Sequence, residues 1–165
     1  YEGEWKDNMR NGQGKVSCED GVYEGQWKND LWDGQGKMIY TTGSVYEGWW
    51  EDGNRNGQGK MIYATGSVYE GWWEDNMRSG QGKMVYADGS VYEGWRKDSK
   101  RDGQGKNIYA TGSVYEGWWE HGDRSGRGNL THSSGWSYEG EWKDNMRNGQ
   151  GKVSCEDGVY EGQWK

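Results

Sequence analysis

The chain has 165 residues, a formal net charge of -7, 30% hydrophobic residues, 31 glycines and neither Phe nor Pro, with a mean hydropathy of -1.33. Too little aliphatic surface is present for a conventional globular core, and no run of about 18 apolar residues exists to make a transmembrane helix. Disorder, the usual consequence of such a composition, is opposed by 13 Trp and 12 Tyr, because each ring can bury about 150–250 Å².

The chain opens on Tyr1-Glu2-Gly3-Glu4-Trp5, and Tyr-Glu-Gly returns at Tyr23, Tyr46, Tyr69, Tyr92, Tyr115, Tyr138 and Tyr160, each time 22 or 23 residues on. A fixed period of this length marks a repeat array. The expected units are 1–22, 23–45, 46–68, 69–91, 92–114, 115–137 and 138–159, with a partial eighth at 160–165, in a single array over 1–165 with no linker. The second unit carries Trp32 where most carry Arg. In the third, Val45–Trp50 and Gly57–Tyr63 are the expected strands of a β-hairpin, joined by a polar turn over 51–56 and followed by a second turn, Ala64-Thr65-Gly66-Ser67. Glycine recurs too often for helix, and no 3.6-residue apolar period competes. The fifth unit has Arg96 at a position otherwise aromatic, and the sixth reads Gly126-Arg127-Gly128-Asn129-Leu130. Residues 138–165 repeat residues 1–28 letter for letter, and the chain starts without Met, so a processed product or a piece of a longer polypeptide is expected.

Counting by twos along the third hairpin assigns its faces. Tyr46, Gly48 and Trp50 point one way, with Gly57, Gly59, Met61 and Tyr63 of the returning strand; Tyr69, Gly71 and Trp73 repeat the pattern in the next unit. Glycine weakens a strand, so its regular use here predicts rings lying across the bare backbone of a neighbouring strand. This is the expected core.

Tyr1-Glu2-Gly3-Glu4-Trp5 followed by Gly12-Gln13-Gly14, kept in register along essentially the whole chain, resembles the MORN (membrane occupation and recognition nexus) repeat. That pattern runs Tyr-x-Gly-x-aromatic, a turn, then Gly-x-Gly. The resemblance implies an all-β fold, an elongated, twisted antiparallel sheet of consecutive hairpins in an open, solenoid-like array. It also brings a membrane role into consideration.

On the opposite face Glu2, Glu24, Glu47, Glu70, Glu93, Glu116, Glu139 and Glu161 form one column, and Lys15, Lys37, Lys60, Lys83, Lys106 and Lys152 another. Beside them the middle repeats carry Trp49, Trp72, Trp95 and Trp118 where the terminal ones have Glu4, Gln26 and Glu141. Together with Ile39, Ile62, Val85 and Ile108 these indoles are expected to form a second apolar stripe. A sheet with two apolar faces invites a partner, another copy or another protein.

Nothing in the sequence points to catalysis. His121 and His132 are the only histidines, no Ser/His/Asp or Cys/His arrangement is apparent, and the carboxylates sit in repeating columns. Asp52-Gly53-Asn54-Arg55-Asn56-Gly57 imitates the start of an EF-hand loop, but Tyr63 stands where a bidentate Glu is required. No cofactor or metal is expected. Cys18 and Cys155 lie six repeats apart, roughly 60 Å at about 4.8 Å per strand, and cannot pair within an extended sheet. Asn129-Leu130-Thr131 is a glycosylation sequon. The acidic balance argues against nucleic acid, and alternating Lys and Glu do not make the polybasic patch an anionic leaflet needs.

The sequence therefore reads as a non-catalytic structural or scaffold repeat protein that self-associates, head to tail into rods or filaments, through open sheet edges and the Trp-rich face. The alternative is a peripheral phospholipid-binding or protein-adaptor module. A cytoplasmic or cytoskeletal location and an extracellular fibre both stay open.

Overall fold

Asp52 and Gly53 both take positive φ, 46° and 83°, and close the third hairpin in two residues. Turns with two left-handed residues match the right-handed twist of the strands they join, and Asp, Asn and Gly tolerate that conformation best. Asp7-Asn8, Asn29-Asp30, Asp75-Asn76 and Asp144-Asn145 do the same. The six-residue turn expected over 51–56 is corrected accordingly: residues 54–56 are polar but belong to the returning strand.

The computed structural model describes all of residues 1–165 and contains strands and turns without helix. Its contacts separate two compact units, Tyr1–Ser79 and Gly80–Lys165. The first holds β1 (Glu2–Lys6), β2 (Met9–Cys18), β3 (Gly21–Lys28), β4 (Leu31–Tyr40), β5 (Val45–Glu51), β6 (Asn54–Ile62) and β7 (Val68–Glu74), and the start of β8 (Met77–Val85). The second continues from β8 with β9 (Val91–Lys97), β10 (Lys100–Ile108), β11 (Val114–Glu120), β12 (Asp123–Thr131), β13 (Ser137–Lys143), β14 (Met146–Cys155) and β15 (Gly158–Trp164). Strand order is chain order in an antiparallel sheet that does not close.

In the first unit Tyr23, Tyr46 and Tyr69 are wholly buried, as are Tyr92, Tyr115 and Tyr138 in the second. Their rings lie over glycine backbone: a Cβ added at Gly59 would stand 2.3 Å from the Tyr46 hydroxyl, and one at Gly48 would meet Gly59 Cα at 2.5 Å. Trp50 and Trp73 close on the Tyr46 ring edge-to-face at 5.0 and 5.4 Å. Each indole N–H finds a backbone carbonyl, Trp50 to Gly36 at 3.3 Å and Trp73 to Gly59 at 3.2 Å. Aromatic contact and a satisfied polar tip thus replace the aliphatic core that the composition could not supply. Burial pushes the hydroxyls of Tyr23, Tyr46 and Tyr115 well above the ordinary phenol range.

Gly57 departs from the face assigned to it. Gly48 faces Gly59 and Trp50 faces Arg55 across the hairpin, so Asn56, Gly57 and Gln58 stand against Trp49 alone. This bulge turns Gly57 over, at φ 78°, and a Cβ there would meet Trp49 Cβ at 3.2 Å instead of the core.

Candidate functional site

The face opposite the tyrosines is built in rows. In the first unit Gln35 pairs with Trp49, Lys37 with Glu47 and Ile39 with Val45 across β4 and β5. Gln58 with Trp72, Lys60 with Glu70 and Ile62 with Val68 repeat this across β6 and β7. The second unit has Gln81 with Trp95 and Val85 with Val91, then Gln104 with Trp118 and Ile108 with Val114. Tryptophans and branched aliphatics therefore share a face without forming one stripe. The Lys–Glu row runs between them, because each Glu sits two residues before its Trp and two after its Val.

That middle row is ion-paired. Lys15 reaches Glu24 at 3.3 Å and Lys37 reaches Glu47 at 3.9 Å in the first unit, and Lys83–Glu93 and Lys106–Glu116 lie at 3.8 and 3.6 Å in the second. All are well exposed, so each pair is worth about 0.2–1 kcal/mol and leaves the row close to neutral. In the sixth repeat Asn129 takes the lysine position opposite Glu139, while Arg127 stands in the glutamine row opposite Glu141. Arg127, Asn129 and Glu139, with Glu116, Lys152 and Glu161, line an open groove of about 590 Å³ in the second unit.

Trp49, Trp72, Trp95 and Trp118 are each 47–49% exposed, while Ile39, Ile62, Val85 and Ile108 are less uniformly so. The backbone that carries each indole is held from behind. Tyr46 donates to the Trp49 carbonyl at 3.0 Å, Tyr69 to that of Trp72 at 3.0 Å, Tyr92 to that of Trp95 at 2.7 Å and Tyr115 to that of Trp118 at 3.0 Å. Gly57, Gly103 and Gly126 leave no side chain against Trp49, Trp95 and Trp118. These supporting glycines were not expected as part of the outer face. Their signal in the sequence is a glycine eleven residues after every Tyr of the repeat from Tyr1 to Tyr138, and only the bulge reveals which way it faces.

Arg96 is buried in the second unit, where its guanidinium lies 4.8 Å from the Tyr92 ring centre. Arg96 and Arg101 each approach the Tyr86 hydroxyl at 3.5 Å. Burial alone would raise that hydroxyl, but the hydrogen bonds and positive charges of Arg101 and Arg96 together outweigh it and hold Tyr86 below the ordinary phenol value. His121 sits exposed, 3.7 Å from Asp102, and His132 stacks on Trp136. The His132 Nδ1 lies 2.8 Å from the Ser134 hydroxyl and accepts from the Ser134 N–H at 3.1 Å, a local contact within one exposed turn. No group of three or more His, Cys, Asp or Glu side chains is placed to hold a metal, and the EF-hand-like stretch from Asp52 is a tight turn running into an extended strand. Cys18 and Cys155 are exposed thiols.

A family model for the MORN repeat matches residues 1–22, 23–45, 46–68, 69–91, 95–114 and 138–159. It passes over 115–137, the repeat with Arg127 and Asn129, although β11 and β12 form there. No curated protein matches the chain. Among solved structures, the TCP domain of Drosophila melanogaster SAS-4 (dCPAP), in complex with a proline-rich motif of Ana2 (dSTIL), is 13% identical at a TM-score of 0.51, over 93% of this chain and 90% of that one. The wild-type TCP10 domain of Danio rerio CPAP is 10% identical at a TM-score of 0.52, over 95% and 74%. At such identities the likeness is one of fold.

Proposed function

Because the chain belongs to the MORN-repeat family, we propose that it is a non-catalytic interaction scaffold whose outward tryptophans dock another polypeptide. The observation that carries this reading is the half-exposure of four indoles, each anchored through its own backbone carbonyl by a buried tyrosine. Covering the free half of one ring would contribute about 2–3 kcal/mol before ordering costs. The backbone beneath each ring is already held, so only the two side-chain torsions of the indole remain to be ordered on binding, which favours these residues as anchors. The SAS-4 TCP domain, similar in fold, holds a peptide motif of its partner, and this supports a polypeptide ligand. The paired state of the lysine column weighs against an anionic lipid surface.

Association of two copies is the second reading. Lysines and glutamates alternate along the face, so an inverted copy could set Lys against Glu while the indoles meet. The head-to-tail rod expected from the sequence is another form of this reading.

Selection from a displayed random-peptide library, run alongside sedimentation of the free protein, tests both. The variants Trp49→Glu/Trp72→Glu and Trp95→Glu/Trp118→Glu copy the residue that Glu4 and Glu141 supply naturally, and circular dichroism checks their fold. Docking predicts enriched peptides that the folded variants no longer hold. Peptides retained equally by the variants, or none enriched, overturn it. A dimer or rod dissolved by the same variants establishes the second reading in its place.

A further inference from the structure

We infer that the Trp49–Trp72 pair of the first unit takes a left-handed polyproline helix with proline at every third residue and a basic side chain at one flank. The inference rests on the polypeptide-docking reading of the same face and names the kind of chain that docks.

Spacing is the first argument. Trp49 and Trp72 occupy corresponding positions on β5 and β7, two strands apart, which is about 9.6 Å at the usual strand separation. A polyproline helix repeats every three residues, about 9.3 Å along its axis. Prolines three apart would therefore meet successive indoles in the same way.

Hydrogen bonding is the second. The core indoles Trp50 and Trp73 spend their N–H groups on backbone carbonyls, whereas those of Trp49 and Trp72 have no partner in the chain. Gln58, opposite Trp72 on the strand between them, adds an exposed amide. A polyproline helix has no internal hydrogen bonds and leaves its carbonyls free to accept from such donors. An α-helix of similar seven-residue spacing has none to offer along its flank, and an added β-strand needs a sheet edge, which this face lacks.

Charge is the third. Two residues beyond each indole on the same face stand Glu51 and Glu74. Glu51 accepts from the Asn56 amide and Glu74 from the Ser79 hydroxyl at 3.1 Å. Neither is neutralised by a lysine as Glu47 and Glu70 are. In the second unit the corresponding residues are Lys97 and Glu120, which offset one another. The preference for a basic flank thus belongs to the first unit.

The test is calorimetric titration of the full chain with a synthetic ten-residue peptide carrying proline at positions 1, 4 and 7 and arginine at 9. Its control has the same composition with the proline spacing broken. We expect the spaced peptide to bind at least about tenfold more tightly, equivalent to about 1.4 kcal/mol. Trp49→Glu/Trp72→Glu should abolish that difference. Glu51→Lys/Glu74→Lys should weaken binding roughly tenfold at low salt and much less at high salt. If both peptides bind alike while library-selected peptides still require Trp49 and Trp72, the proline register falls and polypeptide docking stands. If no peptide of any kind depends on those tryptophans, both fall.

Discussion

The hydroxyl of buried Tyr46 donates to the backbone carbonyl of exposed Trp49 at 3.0 Å, so one hydrogen bond ties the core face of a strand to its outer face. The carbonyl lies three residues on from the tyrosine, and the same Tyr ring packs over Gly59 on the next strand. Core packing and presentation of the outer indole therefore share one side chain.

Tyr46→Phe keeps the ring and removes that bond. It should cost about 0.5–1.5 kcal/mol in urea unfolding. Trp50→Ala, which empties a site 3% exposed and strips the Gly36 carbonyl of its donor, should cost about 3–5 kcal/mol. Glu47→Ala, breaking only an exposed pair with Lys37 at 3.9 Å, should cost about 0.2–1 kcal/mol. Equal losses for Trp50→Ala and Glu47→Ala would mean that the core has been placed on the wrong face.

Two glycines of the same hairpin should respond differently to alanine. Gly66 has φ 88° with nothing within 4 Å of an added Cβ, so Gly66→Ala meets backbone strain alone, about 1–2 kcal/mol. Gly59 has no such φ, but its Cβ would drive into the Tyr46 ring. Gly59→Ala should lower stability by about 3 kcal/mol, the upper part of the overpacking range. Thermal melts that rank Gly66→Ala as the worse variant would contradict the packing of Tyr46 over Gly59.

Alkaline titration should separate two classes of tyrosine. Burial raises Tyr92 to about 12 although Arg96 and Arg101 pull the other way. Its contribution to stability is full below the unfolded value near 10 and is lost as pH climbs from there toward 12. Tyr86 runs oppositely: its folded value is depressed, so its contribution is present above the unfolded value and is lost as pH falls through the folded one. Absorbance near 295 nm should therefore show a first phenolate below pH 10 that Tyr86→Phe removes, with Tyr92 ionising only as the strands melt. A first phenolate that survives Tyr86→Phe would refute the two-arginine environment.

Much of this protein is written locally. The recurrence of Tyr-Glu-Gly set the hairpin repeat, and strict alternation placed Tyr46, Gly48 and Trp50 on one face and Glu47 and Trp49 on the other, because successive side chains of a strand point to opposite sides whatever the strand pairs with. The Lys and Glu columns were legible for the same reason. What only the tertiary structure decided depends on pairing between strands. A two-residue turn at Asp52-Gly53 and a bulge opposite Trp49 set the register, and register alone turned Gly57 from the core toward the outer indole. Register also laid an ion-paired row between the tryptophans and Ile39, Ile62, Val85 and Ile108, two sets that composition had merged into one stripe. Arg96 stands at a position otherwise aromatic and is buried there, its guanidinium against the Tyr92 ring and the Tyr86 hydroxyl. Alternation with Tyr92 and Gly94 on the same strand already sets Arg96 on the core face; what strand pairing adds is the Tyr86 hydroxyl, which reaches the guanidinium from the turn before β9 and helps make its burial tolerable.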